Sequence, residues 1–456
     1  MLRKIRIAAA AFFFVLTTLL FLDFTGTLHA WFGWMAKIQF LPALLALNVG
    51  VVAFLVILTL LFGRVYCSVI CPLGVMQDIV SWASGKRRKH RNRFAYSPAL
   101  TWLRRGMLVV FVAAMLAGVG SLLAPYSAYG RIASNLLAPV YAWGNNLLAY
   151  IAGRMDSYAF YSVDVWMKSL STLLVAVVTF AVLFVLAWRS GRTYCNTICP
   201  VGTVLGFLAR YSLFKPRFDT SKCNGCKLCA RNCKASCIDP AAHKIDYSRC
   251  VACMDCLENC RQGAITYTLR RRKPDPAPAP QRPAADAAKT PSDASRRRFL
   301  GLAGIVAYSA LRAQEKKVDG GLAVIVDKKI PNRATPVVPP GAQSLRHFNA
   351  HCTGCQLCVS VCPNQVLRPS GKLMTLMQPE MSFERGYCRP ECTKCAEVCP
   401  TGAIRLTDLA GKSSIQIGHA VWIAENCEVN TDGVSCNNCA RHCPAGAIKM
   451  VRRDPD

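Results

Sequence analysis

The segment CNGCKLCARNCKASCIDPAAHKIDYSRCVACMDCLENC, residues 223–260, decides how the rest of the chain is interpreted. It holds two copies of the spacing C-x2-C-x2-C-x3-C. Their members are Cys223, Cys226, Cys229 and Cys233, followed by Cys250, Cys253, Cys256 and Cys260. In this spacing three cysteines in a tight loop bind one 4Fe-4S cluster, and the fourth binds the neighbouring cluster. The segment therefore predicts two 4Fe-4S clusters.

The same rule predicts which cysteines share a cluster. Cys260 would complete the cluster of the first copy, and Cys233 that of the second. One departure leaves an alternative open, because Lys234 follows Cys233 where proline is usual and a further cysteine, Cys237, lies nearby. Either Cys233 or Cys237 could be the crossing ligand, and the spacing favours Cys233.

Composition excludes several classes of protein. The chain has 456 residues, of which 53% are hydrophobic and 25 are cysteines, too many cysteines for an ordinary cytosolic enzyme. Twenty-one of them lie beyond residue 220 in C-x2-C ladders, so a disulfide framework is disfavoured. The net charge is +30, and basic residues concentrate beside apolar runs. That pattern indicates membrane topology and not nucleic-acid binding.

Three further cysteine quartets follow in the carboxy-terminal part. They are Cys352, Cys355, Cys358 and Cys362; Cys388, Cys392, Cys395 and Cys399; and Cys427, Cys436, Cys439 and Cys443. A proline follows the fourth member of each quartet, at Pro363, Pro400 and Pro444. With the first two quartets they predict about five 4Fe-4S clusters, although the partner of each fourth cysteine is not deducible. Structural zinc rarely uses such runs, and no flavin or nicotinamide loop is recognisable.

Apolar runs dominate the amino-terminal half, and four of them are long enough to cross a bilayer. They are 5–24, 40–63, 106–124 and 169–188. These runs predict an α-helical integral membrane bundle of four transmembrane helices over residues 1–217, joined to small α+β bacterial-ferredoxin-like domains. Eight Lys and Arg residues in 86–105 place that loop in the cytoplasm, together with the amino terminus and the ferredoxin domain 218–269. The first run lacks a good signal-peptidase site, so it is expected to remain as a helix.

The membrane half also contains a repeat. GRVYCSVICPLG at 63–74 and GRTYCNTICPVG at 191–202 each follow the second helix of a pair. The repeat predicts that four cysteines converge on one redox site at the cytoplasmic end of the bundle, through a pseudo-two-fold relation. These are Cys67, Cys71, Cys195 and Cys199, called the motif cysteines below. A bound cluster, a dithiol pair and simple packing remain open as their role. The nearby polar residues Gln77, Asp78, Arg64 and Arg192 could contact a quinone, but capping or snorkelling is the favoured role for each.

The carboxy-terminal region begins with a linker. Residues 270–294 are rich in Pro, Ala and charge and predict a semi-rigid tether. Residues 295–319 contain SRRRFL followed by a short apolar run, which resembles a twin-arginine export signal or a short fifth helix. Residues 320–456 would then form a polyferredoxin domain outside the cytoplasmic membrane.

These features together resemble a known family. Four helices with two CxxxCP motifs and a cytoplasmic two-cluster ferredoxin look like the NapH-type membrane subunit, which is related to NosR-like and CcoG-like polyferredoxins. The part from Ser295 onward looks like the NapG-type periplasmic ferredoxin. The resemblance covers nearly the whole chain. The fusion departs from the family, as do three carboxy-terminal quartets in place of the usual four.

The resemblance implies a membrane-bound electron carrier of the bacterial inner membrane. It would pass electrons from quinol, or another membrane donor, through 4Fe-4S clusters to a periplasmic reductase or cytochrome. One alternative is a CcoG-like maturation factor that reduces a metal or thiol during assembly of another respiratory complex. Another is a relay that faces the cytoplasm because the Ser295 signal is not used. A bis-histidine haem in the bilayer is disfavoured, since only His29 lies near the first pair of helices.

Overall fold

The structure is a computed structural model. It describes residues 1–86, 94–117, 122–157, 159–165, 168–269, 335–372, 375–384, 386–405, 407–418, 421–424, 427–443 and 446–451. The predicted linker (270–294) and the twin-arginine-like segment (295–319) lie outside these ranges and stay predictions.

The amino-terminal half consists of helices joined by short turns. They are α1 (Leu2–Leu22), α2 (Thr27–Phe32), α3 (Trp34–Lys37), α4 (Phe40–Leu45), α5 (Val49–Phe62), α6 (Val65–Val69), α7 (Pro72–Gly85), α8 (Thr101–Leu116), α9 (Pro125–Ile132), α10 (Ala138–Arg154), α11 (Leu170–Ser190), α12 (Thr193–Thr197) and α13 (Pro200–Ala209). A π-helical turn, Ala133–Leu137, joins α9 to α10. Residues 125–154, between the third and fourth apolar runs, are therefore helical. Asp23 ends α1, and its carboxylate accepts hydrogen bonds from the backbone N–H groups of Gly26 and Leu28.

Only part of the predicted four-helix membrane bundle is borne out. In the described residues, two helices are long and apolar enough to cross a membrane: α1 and α11, each of 21 residues. The prediction of a single helix over 40–63 is wrong, because a turn at Leu47, with φ of +52°, separates α4 from α5. Helix α5 has 14 residues and α8 has 16. At the α-helical rise they extend about 21 and 24 Å, short of a hydrocarbon core of ~30 Å.

The sequence repeat is present as a structural repeat. Helices α5 to α7 follow the same course as α11 to α13. Gly63 and Gly191 end the long helices with φ of +74° and +69°, a conformation that glycine adopts without strain. Cys71 and Cys199 then occupy the N-cap positions of α7 and α13. Each is followed by proline at the first helical position, where the missing N–H costs no hydrogen bond.

The first ferredoxin module, residues 214–269, is a small α+β unit. Strand β1 (Phe214–Phe218) pairs antiparallel with β4 (Ile265–Leu269), and β2 (Ile238–Asp239) pairs antiparallel with β3 (Lys244–Ile245). Its helices are α14 (Leu228–Arg231) and α15 (Asp255–Asn259). Both helices begin after a residue in the left-handed conformation, Lys227 or Met254, which turns the cysteine loop into the helix.

The carboxy-terminal module, described from residue 335 onward, repeats this design at its start. Its elements are α16 (Leu345–His351), α17 (Leu357–Val361), β5 (Leu367–Pro369), β6 (Pro379–Met381), α18 (Lys394–Glu397), α19 (Leu409–Ser414), α20 (Glu428–Thr431) and α21 (Asn438–Arg441). Strands β5 and β6 pair antiparallel. Gln356 is left-handed before α17, as Lys227 is before α14.

Helix α1 contacts both modules. Near its start, Arg3 Nε lies 2.8 Å from Asp255 Oδ1 of the first ferredoxin module. Just beyond its end, the carbonyl of Thr25 accepts a hydrogen bond of 3.2 Å from Lys394 Nζ of the carboxy-terminal module. A helix of this length extends about 30 Å. The two modules therefore lie at opposite ends of α1.

Candidate iron-sulfur centres

The first predicted set of cysteines surrounds a cavity. Cys223, Cys226, Cys229 and Cys260 line a space of about 290 Å³ between the two helices of the first ferredoxin module. Burial raises the pKa of Cys229, and the neighbouring thiols add to the effect. Four sulfur donors around one cavity are the donor set of a 4Fe-4S cluster, so these residues fit that group.

The second set lines a smaller, more enclosed space. Cys250, Cys253, Cys256 and Cys233 border a cavity of about 20 Å³ together with Cys237. The sulfurs of Cys233 and Cys237 lie 3.5 Å apart. A hydrogen bond from Cys237 lowers the pKa of Cys233, and another from Cys237 lowers that of Cys250. Both candidates for the crossing ligand thus reach the site, and the hydrogen bonding favours Cys233 as the thiolate.

In the carboxy-terminal module two quartets lie together, and the fourth cysteine of each lies with the first three cysteines of the other. Burial raises the pKa of Cys358, and the thiols of Cys355, Cys352 and Cys399 contribute further. Cys399 therefore belongs with the first three cysteines of the preceding quartet. This is a pairing that the sequence left open.

The reciprocal exchange occurs in the next quartet. Burial raises the pKa of Cys395 to about 12, with contributions from Cys388, Cys362 and Cys392. Lys412 Nζ lies 3.5 Å from the sulfur of Cys388 and places a positive charge beside this group. Residues 351–403 thus have the ligand exchange of a two-cluster ferredoxin.

The third carboxy-terminal quartet lies nearer the surface. Cys439 is exposed, and Cys427, Cys436 and Cys443 are only partly buried. The backbone N–H of Ala447 donates to Cys443 Sγ over 3.3 Å. The role of this quartet as a cluster site stays a prediction. In the part of the chain that the structure describes, no three His, Cys, Asp or Glu side chains are grouped to hold a single metal ion. A cubane differs from such a site, because each cysteine binds a different iron.

The motif cysteines are buried beside two buried arginines. Arg64 and Arg192 are 0% and 1% exposed. Arg64 donates to the carbonyl of Cys195 over 3.1 Å, and Arg192 donates to the carbonyl of Cys67 over 2.7 Å. Each arginine is also in van der Waals contact with the first cysteine of its own repeat. Arg64 lies 3.8 Å from Cys67 Sγ, and Arg192 lies 4.0 Å from Cys195 Sγ. The two repeats thus hold each other through reciprocal hydrogen bonds.

Two glycines make this approach possible. A Cβ atom on Gly74 would lie 2.2 Å from the Cys67 carbonyl oxygen and 2.7 Å from Arg192 Nη1. A Cβ atom on Gly202 would lie 2.2 Å from the Cys195 carbonyl oxygen and 2.8 Å from Arg64 Nη2. Both contacts are too short for any other residue, which explains why the repeat has glycine at these positions.

The two repeats differ in which groups accept hydrogen bonds from each arginine. Arg192 Nε donates to Asp78 Oδ1 over 2.9 Å, and Arg6 also donates to this carboxylate. The equivalent position in the second repeat is Gly206, where the backbone carbonyl of Ser248 approaches and accepts from Arg64 over 3.2 Å. Asp78 is therefore an ion-pair partner. Its contacts account for it without a quinone.

A buried residue that the sequence interpretation overlooked lies on the other side of the motif cysteines. Arg131 is 0% exposed, and its charge interacts with Tyr194 and with Cys355 of the carboxy-terminal module. A Cβ atom on the neighbouring Gly130 would lie 2.5 Å from the Cys355 carbonyl oxygen. The only signal in the sequence was an arginine within a largely uncharged stretch.

A larger cavity lies where α1 ends. It measures about 660 Å³ and is bordered by α10, residues 161–165 and α17. Aromatic side chains line it, including Phe21, Phe24 and Tyr141, and Asp164 and Lys168 supply charge. Cys362 also lines it, so the cavity touches a cysteine of the carboxy-terminal pair of quartets.

Small α+β modules with exchanged cysteine quartets, attached to a helical domain, define the chain as an iron-sulfur protein of the polyferredoxin class. The comparisons with known proteins agree. A family described as 4Fe-4S binding domain matches residues 44–90 and 172–221, and a family described as 4Fe-4S dicluster domain matches residues 351–403.

The relatives specify the class further. The ferredoxin-type protein NapH of Escherichia coli (strain K12) is 29% identical over 195 residues, which is 42% of this chain and 55% of NapH. The methylamine utilization ferredoxin-type protein MauN of Paracoccus denitrificans is 28% identical over 172 residues, 38% of this chain and 48% of MauN. The corresponding protein MauM of Methylophilus methylotrophus is 33% identical over 123 residues, 24% of this chain and 50% of MauM.

These matches support a NapH-type polyferredoxin with several 4Fe-4S clusters, so the predicted resemblance to NapH and the prediction of multiple 4Fe-4S clusters are confirmed. The chain spans about half the length of these three relatives. No solved structure matches it significantly. An iron-sulfur electron-transfer role follows from the family descriptions and the cysteine arrangement together.

Proposed function

We propose that the chain is an integral protein of the bacterial cytoplasmic membrane that carries electrons from quinol, or another membrane donor, to an extracytoplasmic reductase. The observation that carries the proposal is the attachment of two ferredoxin modules at opposite ends of α1, through Arg3–Asp255 and Lys394–Thr25. The basic run in 86–105 favours the cytoplasm for the first module. The carboxy-terminal module would then face outward. This arrangement argues against a relay confined to the cytoplasmic face.

The surface of the long helices supports a membrane location. Phe12 and Val15 on α1 are exposed, as are Leu174 and Val178 on α11. Large apolar side chains on the outer face of a helix are stable in lipid and unfavourable in water. The fusion of a NapH-like half with a NapG-like half would let one chain serve both sides of the membrane.

The cavity at the end of α1 supports quinol as the donor. Its volume of about 660 Å³ lies within the range of small-molecule sites. Its aromatic lining suits a flat ring. Cys362 and its partners would hold a one-electron acceptor beside the cavity, and Asp164, which is exposed, would take the two protons of a bound hydroquinone in turn and release each to water.

Reduction by quinol tests the proposal. A menaquinol analogue added to the purified protein without oxygen is expected to bleach the cluster absorbance. Ala142→Trp, which fills the cavity from α10, should slow that bleaching at least tenfold, whereas Ala152→Trp, outside the cavity on the same helix, should not. Reduction by dithionite should be the same in all three proteins. If dithionite bleaches the clusters and quinol does not, quinol is not the donor.

A further inference from the structure

We infer that the motif cysteines hold an additional iron-sulfur cluster, which connects the first ferredoxin module with the carboxy-terminal module through the helical domain. The inference rests on the proposed electron-carrier function and does not depend on which donor is used. It assigns Cys67, Cys71, Cys195 and Cys199 as ligands.

The four thiols lie together inside the protein. All four are buried. Arg64 contacts both Cys67 Sγ, at 3.8 Å, and the carbonyl of Cys195, at 3.1 Å, and Arg192 contacts both Cys195 Sγ, at 4.0 Å, and the carbonyl of Cys67, at 2.7 Å. Cys71 and Cys199 lie at the N-caps of the helices that follow. The sequence repeat had predicted this convergence from the pseudo-two-fold relation of the two helix pairs.

The family comparison points to the same residues by a separate route. The matched ranges 44–90 and 172–221 end before Cys223, so they contain none of the ferredoxin quartets. The cysteines they contain are the motif cysteines. The family match thus includes both copies of the repeat, with all four motif cysteines.

The charges around the site call for an anion. Arg64 is fully buried and is bound by neutral acceptors: Asn196 Oδ1 at 2.8 Å and two backbone carbonyls. Among the described residues it forms no ion pair with a carboxylate. A buried cation without a counter-charge is strongly unfavourable. A cubane with four thiolate ligands is anionic, and it would lie between Arg64 and Arg192.

Contacts extend from this site to the first ferredoxin module. The backbone N–H of Arg192 donates to the carbonyl of Lys234 over 2.9 Å, next to Cys233. Arg64 contacts the carbonyl of Ser248, two residues before Cys250. Arg64 and Arg192 therefore connect the motif cysteines directly with the loops that carry the second set of ferredoxin cysteines.

Contacts also extend to the carboxy-terminal module. Tyr194 precedes Cys195 and interacts with Arg131, whose charge also interacts with Cys355. In the proposed relay, one electron would pass from the cluster near Cys233 to the motif-cysteine cluster and then to the cluster at Cys355. No proton or atom is transferred in such a step. The additional cluster would close the gap between modules at opposite ends of α1.

Iron analysis of the full-length protein tests the inference. Replacement of all four motif cysteines by serine is expected to remove about four irons per chain and one paramagnetic species from the reduced spectrum. Ser68→Ala, a buried change between the same cysteines, should leave both unchanged. Iron and spectrum unchanged by the fourfold replacement would overturn the inference, whether or not quinol reduces the protein.

A milder variant keeps the test valid if the fourfold replacement does not fold. Gln77 Nε2 donates to Cys195 Sγ over 3.3 Å, and the second repeat has Leu205 at the equivalent position. A hydrogen bond to a cluster sulfur stabilises the reduced, more negative state. Gln77→Leu should therefore lower the reduction potential of one cluster, whereas Met76→Leu should lower none. No change in any potential with Gln77→Leu would contradict the assignment of Cys195 as a ligand.

Discussion

Lys234 of the first ferredoxin module lies 3.7 Å from Asp78 of the helical domain, and the same ammonium group lies 3.0 Å from Asp255 within its own module. Lys234 follows Cys233, where ferredoxins usually have proline. The departure from the pattern therefore has a structural cause. The residue at this position bridges two carboxylates on two parts of the chain, which proline could not do.

Replacement of Lys234 by methionine should loosen the first ferredoxin module from the helical domain. The side chain of Lys234 is 15% exposed, and its loss removes the one cation that Asp78 and Asp255 share. Each carboxylate keeps a partner within its own contacts, Arg192 for Asp78 and Arg3 for Asp255, so we expect a loss of stability of about 1 kcal/mol. We expect the cluster absorbance to be lost at a lower urea concentration.

Lys222→Met is the matched control for this change. Lys222 pairs with Asp219 at the surface, where both side chains are well exposed. Solvent screening makes such a pair nearly neutral for stability. Equal urea midpoints for Lys234→Met and Lys222→Met would show that the bridge does not stabilise the protein.

Cysteine variants should reveal the exchange of ligands in the carboxy-terminal module. Cys399→Ser is expected to disturb the cluster of Cys352, Cys355 and Cys358, because the structure places Cys399 with them. Cys362→Ser should disturb the other cluster. Spectra of each variant combined with Cys358→Ser would decide the matter: Cys399→Ser should add no second cluster loss, and Cys362→Ser should add one.

Cys237 should tune a cluster without being essential to it. Its hydrogen bonds to Cys233 and Cys250 favour their thiolate forms, and a donor to cluster sulfur stabilises the reduced state. Cys237→Ala should retain all the iron and lower one reduction potential by tens of millivolts. A loss of about four irons would instead identify Cys237 as the crossing ligand.

The third carboxy-terminal quartet can be tested by iron content. Five quartets predict about twenty irons per chain before any contribution from the motif cysteines. The double replacement of Cys436 and Cys439 by serine should remove about four of them. Both residues lie near the surface, so their change should leave the buried quartets intact. Unchanged iron after this replacement would mean that the third quartet holds no cluster.

Reporter fusions test the predicted topology. Alkaline phosphatase fused after Asp456 should be active, since the carboxy-terminal module is proposed to face outward, and the same enzyme fused after Lys89 should be inactive. Replacement of Arg296 and Arg297 by lysine should abolish the activity of the first fusion. Activity after Lys89, or at neither position, would reject the topology.

The cysteine spacing predicted much of the molecule. The crossing of Cys260 and the convergence of the motif cysteines follow from local rules and from a repeat, so both could be deduced. The break at Leu47 was missed because residues 40–63 are largely apolar, although Asn48, which caps α5 by accepting a hydrogen bond from the backbone N–H of Val51, marks the break in the sequence. Hydrophobicity reports burial or lipid contact, and it is a poor guide to where a helix turns.

The partners of the buried arginines also escaped prediction. Arg64 and Arg192 bind atoms of the opposite repeat, more than a hundred residues away. Arg131 meets Cys355 of a module beyond the linker. Such contacts depend on how distant segments pack, whereas spacing rules describe only neighbours along the chain.

The contacts of α1 with both modules have a consequence for biogenesis. The two sets of partners of this helix, at Asp255 and at Lys394, lie far downstream in the chain and are therefore synthesised much later than the helix itself. Residues at both ends of α1 therefore lack these partners until clusters have been inserted into each module. A tag or deletion at Arg3 should for that reason impair maturation of the whole chain and leave translation unaffected.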